Sequence, residues 1–170
     1  YASKGYLVDL SKEPALQAAL PSSLPSVTWE GRQYAVPMDY AGIGIIYNKD
    51  IFQKLGLEAP ATYRDLEKVC RVLKENGVVP FAALLKENWS VGHFITMIHT
   101  ALLAEKNIAP ADFIASMNAG KSSYGAVDTA KLFSILDFYR ANMNSNAGEM
   151  GGGEQQQSFA KGEAAMMVQG

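Results

Sequence analysis

A chain of 170 residues, 48% hydrophobic and 19% charged, carries enough apolar surface for one packed core and is not of the disordered class. Its formal net charge of −2, without a long run of either sign, speaks against nucleic acid and against an anionic membrane surface as partners. The single cysteine, Cys70, excludes an internal disulfide framework, and no apolar stretch approaches the ~20 residues that a membrane span requires.

The chain opens at Tyr1 with no initiator methionine or targeting segment and stops at Gly170 just after an apolar run, so both ends are expected to be internal to a longer protein. Ser11 is placed to cap a short helix over 15–20, and Pro21 and Pro25 make the next stretch irregular. Trp29-Glu30-Gly31-Arg32 reads as a tight turn that leads into a short strand over 33–37, with Trp29 packing rather than binding. A β-rich run over 43–47 ends at Asn48-Lys49-Asp50, and Gly42 and Gly44 predict a bend there. Tyr47 is expected in the core, with Asn48 and Asp50 shaping the turn into one or two helical turns over 51–55.

The clearest helix follows. Thr62 is an N-cap with Asp65 three residues on, Leu66, Val69, Cys70 and Leu73 share one face, and Gly77 stands where a helix ends. On that stripe Cys70 reads as a small core residue. Residues 78–85 form a buried strand. Ser90 is placed to cap a helix reaching about 104, with Phe94, Met97, Ile98, Ala101 and Leu102 inward. Pro110 suits the first turn of a helix that ends near Gly120. Asp128 caps another, whose stripe is Leu132, Ile135, Leu136 and Tyr139. A helix over 154–160 closes at Gly162, and an apolar strand over 164–168 follows, with one of Met166 and Met167 facing the core. Strands alternating with helices give the α/β class, as a small, mostly parallel sheet covered by several helices.

Four phrases then resemble one family. Gly5-Tyr6-Leu7-Val8-Asp9-Leu10 is similar to the GxLxDL segment of family 1 extracellular solute-binding proteins, to which maltose-binding protein belongs. Trp29-Glu30-Gly31-Arg32-Gln33-Tyr34-Ala35-Val36-Pro37 resembles their D/N-G-K-x-Y-x-x-P stretch. Tyr47-Asn48-Lys49-Asp50-Ile51-Phe52 resembles their YNKDLF signature, and the run from Phe159-Ala160-Lys161-Gly162 to Met166-Met167 resembles their F-x-x-G-x-A-A-M ending. The four stand in the family's order across nearly the whole chain.

The resemblance implies the two-lobed α/β fold of periplasmic binding proteins, with a solute held between lobes joined by a hinge. It assigns residues 1–38 to the end of the first lobe and the crossover, and residues 39–170 to most of the second lobe. It further implies an ABC importer component that captures a solute, expected to be a sugar, and delivers it to membrane permease subunits. It implies an extracellular or periplasmic location, lipid-anchored or free, and neither cofactor nor catalysis. An incomplete lobe is expected to expose sheet edges and self-associate.

Sugar sites combine flat aromatic faces, which cover the C–H face of the ring, with carboxylates and amides that bond its hydroxyls. Lys86-Glu87-Asn88-Trp89-Ser90 offers both kinds of group just after a strand, at the carboxyl end where open α/β sheets place ligands. Trp89 and Glu87 are therefore candidate ligand residues, joined by His93 one helical turn on. Asp39 and Tyr40, after Pro37, are the second candidate group. His93 and His99 are six apart, the wrong spacing for a helical metal pair, and no metal site is expected. Gly151-Gly152-Gly153 lacks the lysine and preceding strand of a phosphate loop. Two rival readings stay open: a carbohydrate-active enzyme using Asp39 and Glu87 as a carboxylate pair, and a sugar sensor outside transport.

Overall fold

The computed structural model describes residues 1–39 and 42–169. The chain divides into two compact units, Tyr1–Gly42 and Ile43–Gly170. The first is mostly short 3-10 turns, at Ala2–Lys4, Pro14–Ala18 and Pro21–Val27. Ser11 caps none of them. Its hydroxyl donates to Asp9 Oδ1 at 2.6 Å and accepts from the Gln33 amide at 3.0 Å, so it ties two loops together, and the helix expected over 15–20 is a 3-10 turn led by Pro14. The strand expected over 33–37 is only Arg32–Gln33 (β2), paired antiparallel with Thr28–Trp29 (β1). Glu30 and Gly31 connect them at φ 47° and 77°, the twist that suits a two-residue hairpin. Trp29 stays 40% exposed beside Tyr34, with ring centroids 6.2 Å apart.

In the second unit the strands are Gly44–Tyr47 (β3), Val79–Ala82 (β4) and Ala164–Gln169 (β5), in the order β3-β5-β4. β5 pairs parallel with β4, Phe81 opposite Met166, and antiparallel with β3, Ile45 opposite Val168. The α/β class holds, but the sheet is mixed rather than mostly parallel, because the last strand enters between the first two and each neighbour has its own direction. The outer edge of β4 is covered by residues 142–147. Phe81 N donates to Asn142 O, Asn144 N to Phe81 O, and Ala83 N to Asn144 Oδ1 at 2.6 Å.

Among the described residues the unit has the α-helices Lys49–Lys54 (α1), Tyr63–Glu75 (α2), Asn88–Glu105 (α3), Pro110–Asn118 (α4), Thr129–Ala141 (α5) and Gly152–Ala160 (α6), with a 3-10 turn at Tyr124–Ala126. Local capping sets several starts. Asn48 Oδ1 accepts from the amides of Asp50 and Ile51, Thr62 Oγ1 from Asp65 N, and Asp128 Oδ1 from Lys131 N. Gly77 follows α2 at φ 71°, the left-handed position that glycine reaches at least cost.

The core joins α2 (Val69, Cys70, Leu73), α3 (Phe94, Ile98, Leu102, Leu103), Phe52, Phe81 and Met166. Burial pushes the Cys70 thiol up to about 12, which suits a packing residue. Both adjacent methionines are buried, not one of the two: Met166 joins this core, and Met167 joins Ala82, Ala164 and Phe159 of α6 in a second cluster. The inward face of α3 also differs from expectation. Ala101 is exposed, while His99 and Leu103 are buried. Helix α4 and the turn after it explain the shift: Phe113 and Tyr124 lie against the His99 ring at 4.9 and 5.6 Å between centroids, so α3 buries a wider face than its 94/98/102 line alone.

Candidate functional site

The chain leaves β4 through buried Ala83 and Leu84 and turns outward at Leu85, at the carboxyl end of the strand. Leu85 N donates to Ala147 O at 2.8 Å, which fixes the exit point. Helix α3 then starts two residues earlier than Ser90, with Glu87 as its N-cap residue. Ser90 is not a cap. Its Oγ lies 2.7 Å from the carbonyl oxygens of Leu84 and Glu87, and its one proton serves either, which locks the loop onto the helix.

The Glu87 side chain does not cap α3 either. Its Oε2 accepts from the Trp89 indole Nε1, and its Oε1 accepts from Gly152 N, the first residue of α6, at 3.1 Å. Helix α6 needs that oxygen. Gly151, at its N-cap, has no side chain, and Glu154 Oε2 reaches back only as far as Gly151 N, at 2.7 Å. The carboxylate also lies at the positive end of the helix dipole. Gly151-Gly152-Gly153 is therefore the receiving surface for a distant carboxylate and not a phosphate loop.

Trp89 is 44% exposed, and its indole meets the His93 ring edge-on, with centroids 5.2 Å apart at 62°. Three of the sequence candidates, Glu87, Trp89 and His93, are thus gathered in one cluster at the start of α3. Beside the same loop lies a mostly apolar cavity of about 210 Å³, lined by Leu84, Leu85, Ser90, Phe94, Gln155 and Val168 among others. Gln155 is 1% exposed. Its Nε2 donates to Ala82 O at 2.8 Å, and its Oε1 accepts from Gln169 Nε2 at 3.1 Å. Neither Gln155 nor Gly152 was indicated by sequence, because Glu87 lies 65 positions from Gly152 and Ala82 lies 73 from Gln155.

Asp39 belongs to the first unit, where it is exposed and borders a shallow depression with Pro37, Met38, Leu20 and Ser23. Tyr40 lies outside the described residues. Among the described residues no cluster of three or more metal-ligating side chains occurs, and no helix is long and apolar enough to cross a membrane.

The family model described as bacterial extracellular solute-binding protein matches residues 1–170. An uncharacterized ABC transporter extracellular-binding protein of Pyrococcus horikoshii is 29% identical over 147 residues, 85% of this chain and 32% of that protein. A multiple sugar-binding protein of Streptococcus mutans is 30% identical over 76 residues, 45% of this chain and 18% of that one. Among solved structures, a chitin oligosaccharide binding protein superposes with a TM-score of 0.80 at 27% identity, over 99% of this chain and 42% of its own. The chain thus spans less than half the length of each of these relatives.

Proposed function

Because this chain belongs to the bacterial extracellular solute-binding proteins, we propose that it is part of the sugar-capturing component of an ABC importer. In this reading residues 1–38 are the end of the first lobe and the crossover, and residues 39–170 are most of the second lobe. The lobes close on the sugar by hinge motion, and the closed form docks on membrane permease subunits. The protein works outside the cytoplasmic membrane, held there by a lipid anchor or free in the periplasm.

The observation that carries the proposal is the exposed indole of Trp89, set at the carboxyl end of β4 and tied by its ring N–H. An indole held this way offers a flat apolar surface to the C–H face of a pyranose, and its one polar atom is already satisfied. His93 flanks the ring, and Asp39 and Tyr40 are assigned as polar ligand contacts. Both Glu87 oxygens accept hydrogen bonds from protein N–H groups, which suits a binding site better than a proton-transfer pair. A micromolar sugar needs about −8 kcal/mol, within reach of stacked aromatics and a few hydrogen bonds after closure is deducted.

The test is a thermal-shift screen of the intact protein against mono- and oligosaccharides, with tri-N-acetylchitotriose among them. A saccharide at about 100 times its Kd should add roughly 2.7 kcal/mol to stability and raise Tm. Trp89→Ala should cut that rise by half or more at the same concentration. A screen in which amino acids or peptides raise Tm and no sugar does would overturn the assignment of ligand class.

A further inference from the structure

Resting on the reading of Trp89 as the stacking face, we infer that Glu87 is a positioning residue for that face: its carboxylate brackets the Trp89 indole and the start of α6, fixing the ring's pose before any sugar arrives. Three observations carry this. The first is chemical. Two N–H donors, Trp89 Nε1 and Gly152 N, converge on one side chain, and only a carboxylate offers an acceptor on each oxygen. The second is the exposure of the ring. Trp89 is 44% exposed and meets His93 only edge-on, so the tether to Glu87 holds an orientation that burial does not. The third is space. A Cβ at Gly151 would lie 3.2 Å from Glu87 Oε1, closer than ordinary contact. Gly151 itself has φ −97°, a conformation any residue adopts, so a Cβ there would strain no backbone but would push the carboxylate by a few tenths of an ångström. The loop after β4 and the triglycine start of α6 thus form one unit, and Glu87 acts on the ligand through Trp89.

The test uses the intact protein, ¹⁵N-labelled, with the Trp89 indole Nε1–H resonance identified by its loss in Trp89→Phe. In Glu87→Ala the indole loses its acceptor, so the resonance should move upfield, and its exchange with water should quicken roughly tenfold, the scale of a lost hydrogen bond to a charged acceptor. Gly151→Ala should move it in the same direction, by less. An unchanged resonance in Glu87→Ala, even with a lowered Tm, would show that Glu87 serves only α6 and would overturn the inference. This readout contains no sugar, so it stands or fails separately from the sugar-binding reading. With tri-N-acetylchitotriose as the calorimetric probe, Glu87→Ala should weaken binding roughly tenfold in the wild-type background and leave it unchanged when Trp89 is already alanine. An equal loss in both backgrounds would mean that Glu87 touches the sugar itself and would equally overturn the inference.

Discussion

The interior of the second unit and the rim at the start of α3 treat polar atoms in opposite ways. At the rim, Glu87, Trp89 and Ser90 are exposed or half-buried, yet each has its hydrogen bonds made by other protein groups. In the interior, the same helix buries His99 beside Phe113 and Tyr124, and its Nε2 atom has no hydrogen-bond partner among the described residues. The usual expectation is the reverse, since water satisfies exposed groups without help and buried ones depend on the protein. Order at the rim is thus spent on holding a shape, while the interior tolerates a loose end because apolar packing carries its stability.

The comparison breaks most visibly if the two regions prove coupled. Leu73 is fully buried, between α2 and the sheet. Leu73→Ala should lower the unfolding free energy by about 2–5 kcal/mol through lost transfer energy and the cavity left behind. Denaturant unfolding measures the loss, and calorimetry on the folded protein should find sugar affinity within about twofold of wild type, since additivity holds for sites without shared partners. A tenfold change in affinity would show that core packing sets the rim's geometry.

His99 sharpens the comparison from the other side. Its unpartnered Nε2 carries a desolvation cost of about 1–3 kcal/mol that hydrogen bonding does not offset. Replacing it with leucine keeps an apolar contact with Phe113 and removes the orphan atom. His99→Leu should therefore raise stability by about 1 kcal/mol at neutral pH, measured by the same unfolding curves. A loss of similar size would mean that the ring's contacts with Phe113 and Tyr124 outweigh the missing bond.

The same contrast explains what was legible beforehand. Thr62 and Asp128 were readable as caps, and Asn48 as shaping the turn into α1, because their partners lie two or three residues away. The α/β class and the 66/69/70/73 stripe were readable because periodicity is local. Ser11 and Ser90 carry the same cap signature, but Ser11 binds Asp9 and Gln33, and Ser90 reaches back to Leu84. A hydroxyl does not advertise which neighbour it will choose. Sheet order was hidden because β5 inserts between strands about 35 residues apart, and nothing in an apolar run states direction. In the candidate site, Trp89 and Glu87 were visible as residue types, while the bracket was not, since its other half is a glycine amide 65 positions on.

The smallest expected effect lies at Thr62, a polar pair that serves fold alone and so marks the limit of the comparison. Thr62 Oγ1 accepts from Asp65 N at 3.1 Å and donates to Asp65 Oδ2 at 2.7 Å. The hydroxyl holds the Asp65 carboxyl below its ordinary 3.8, with Lys68 helping. Because the folded-state value is depressed, the carboxylate's contribution is present above the unfolded value and is lost as pH falls through the folded one. Thr62→Ala should cost about 1 kcal/mol at pH 7, the scale of a lost N-cap. It should also let Asp65 titrate closer to 3.8, so the gap between variant and wild type should hold from pH 7 to pH 5 and narrow below about pH 4. Unfolding curves at pH 7, 5 and 3 decide it. A gap of equal size at pH 3 and pH 7 would mean that Thr62 stabilises α2 through the Asp65 amide alone, with no part played by the carboxylate.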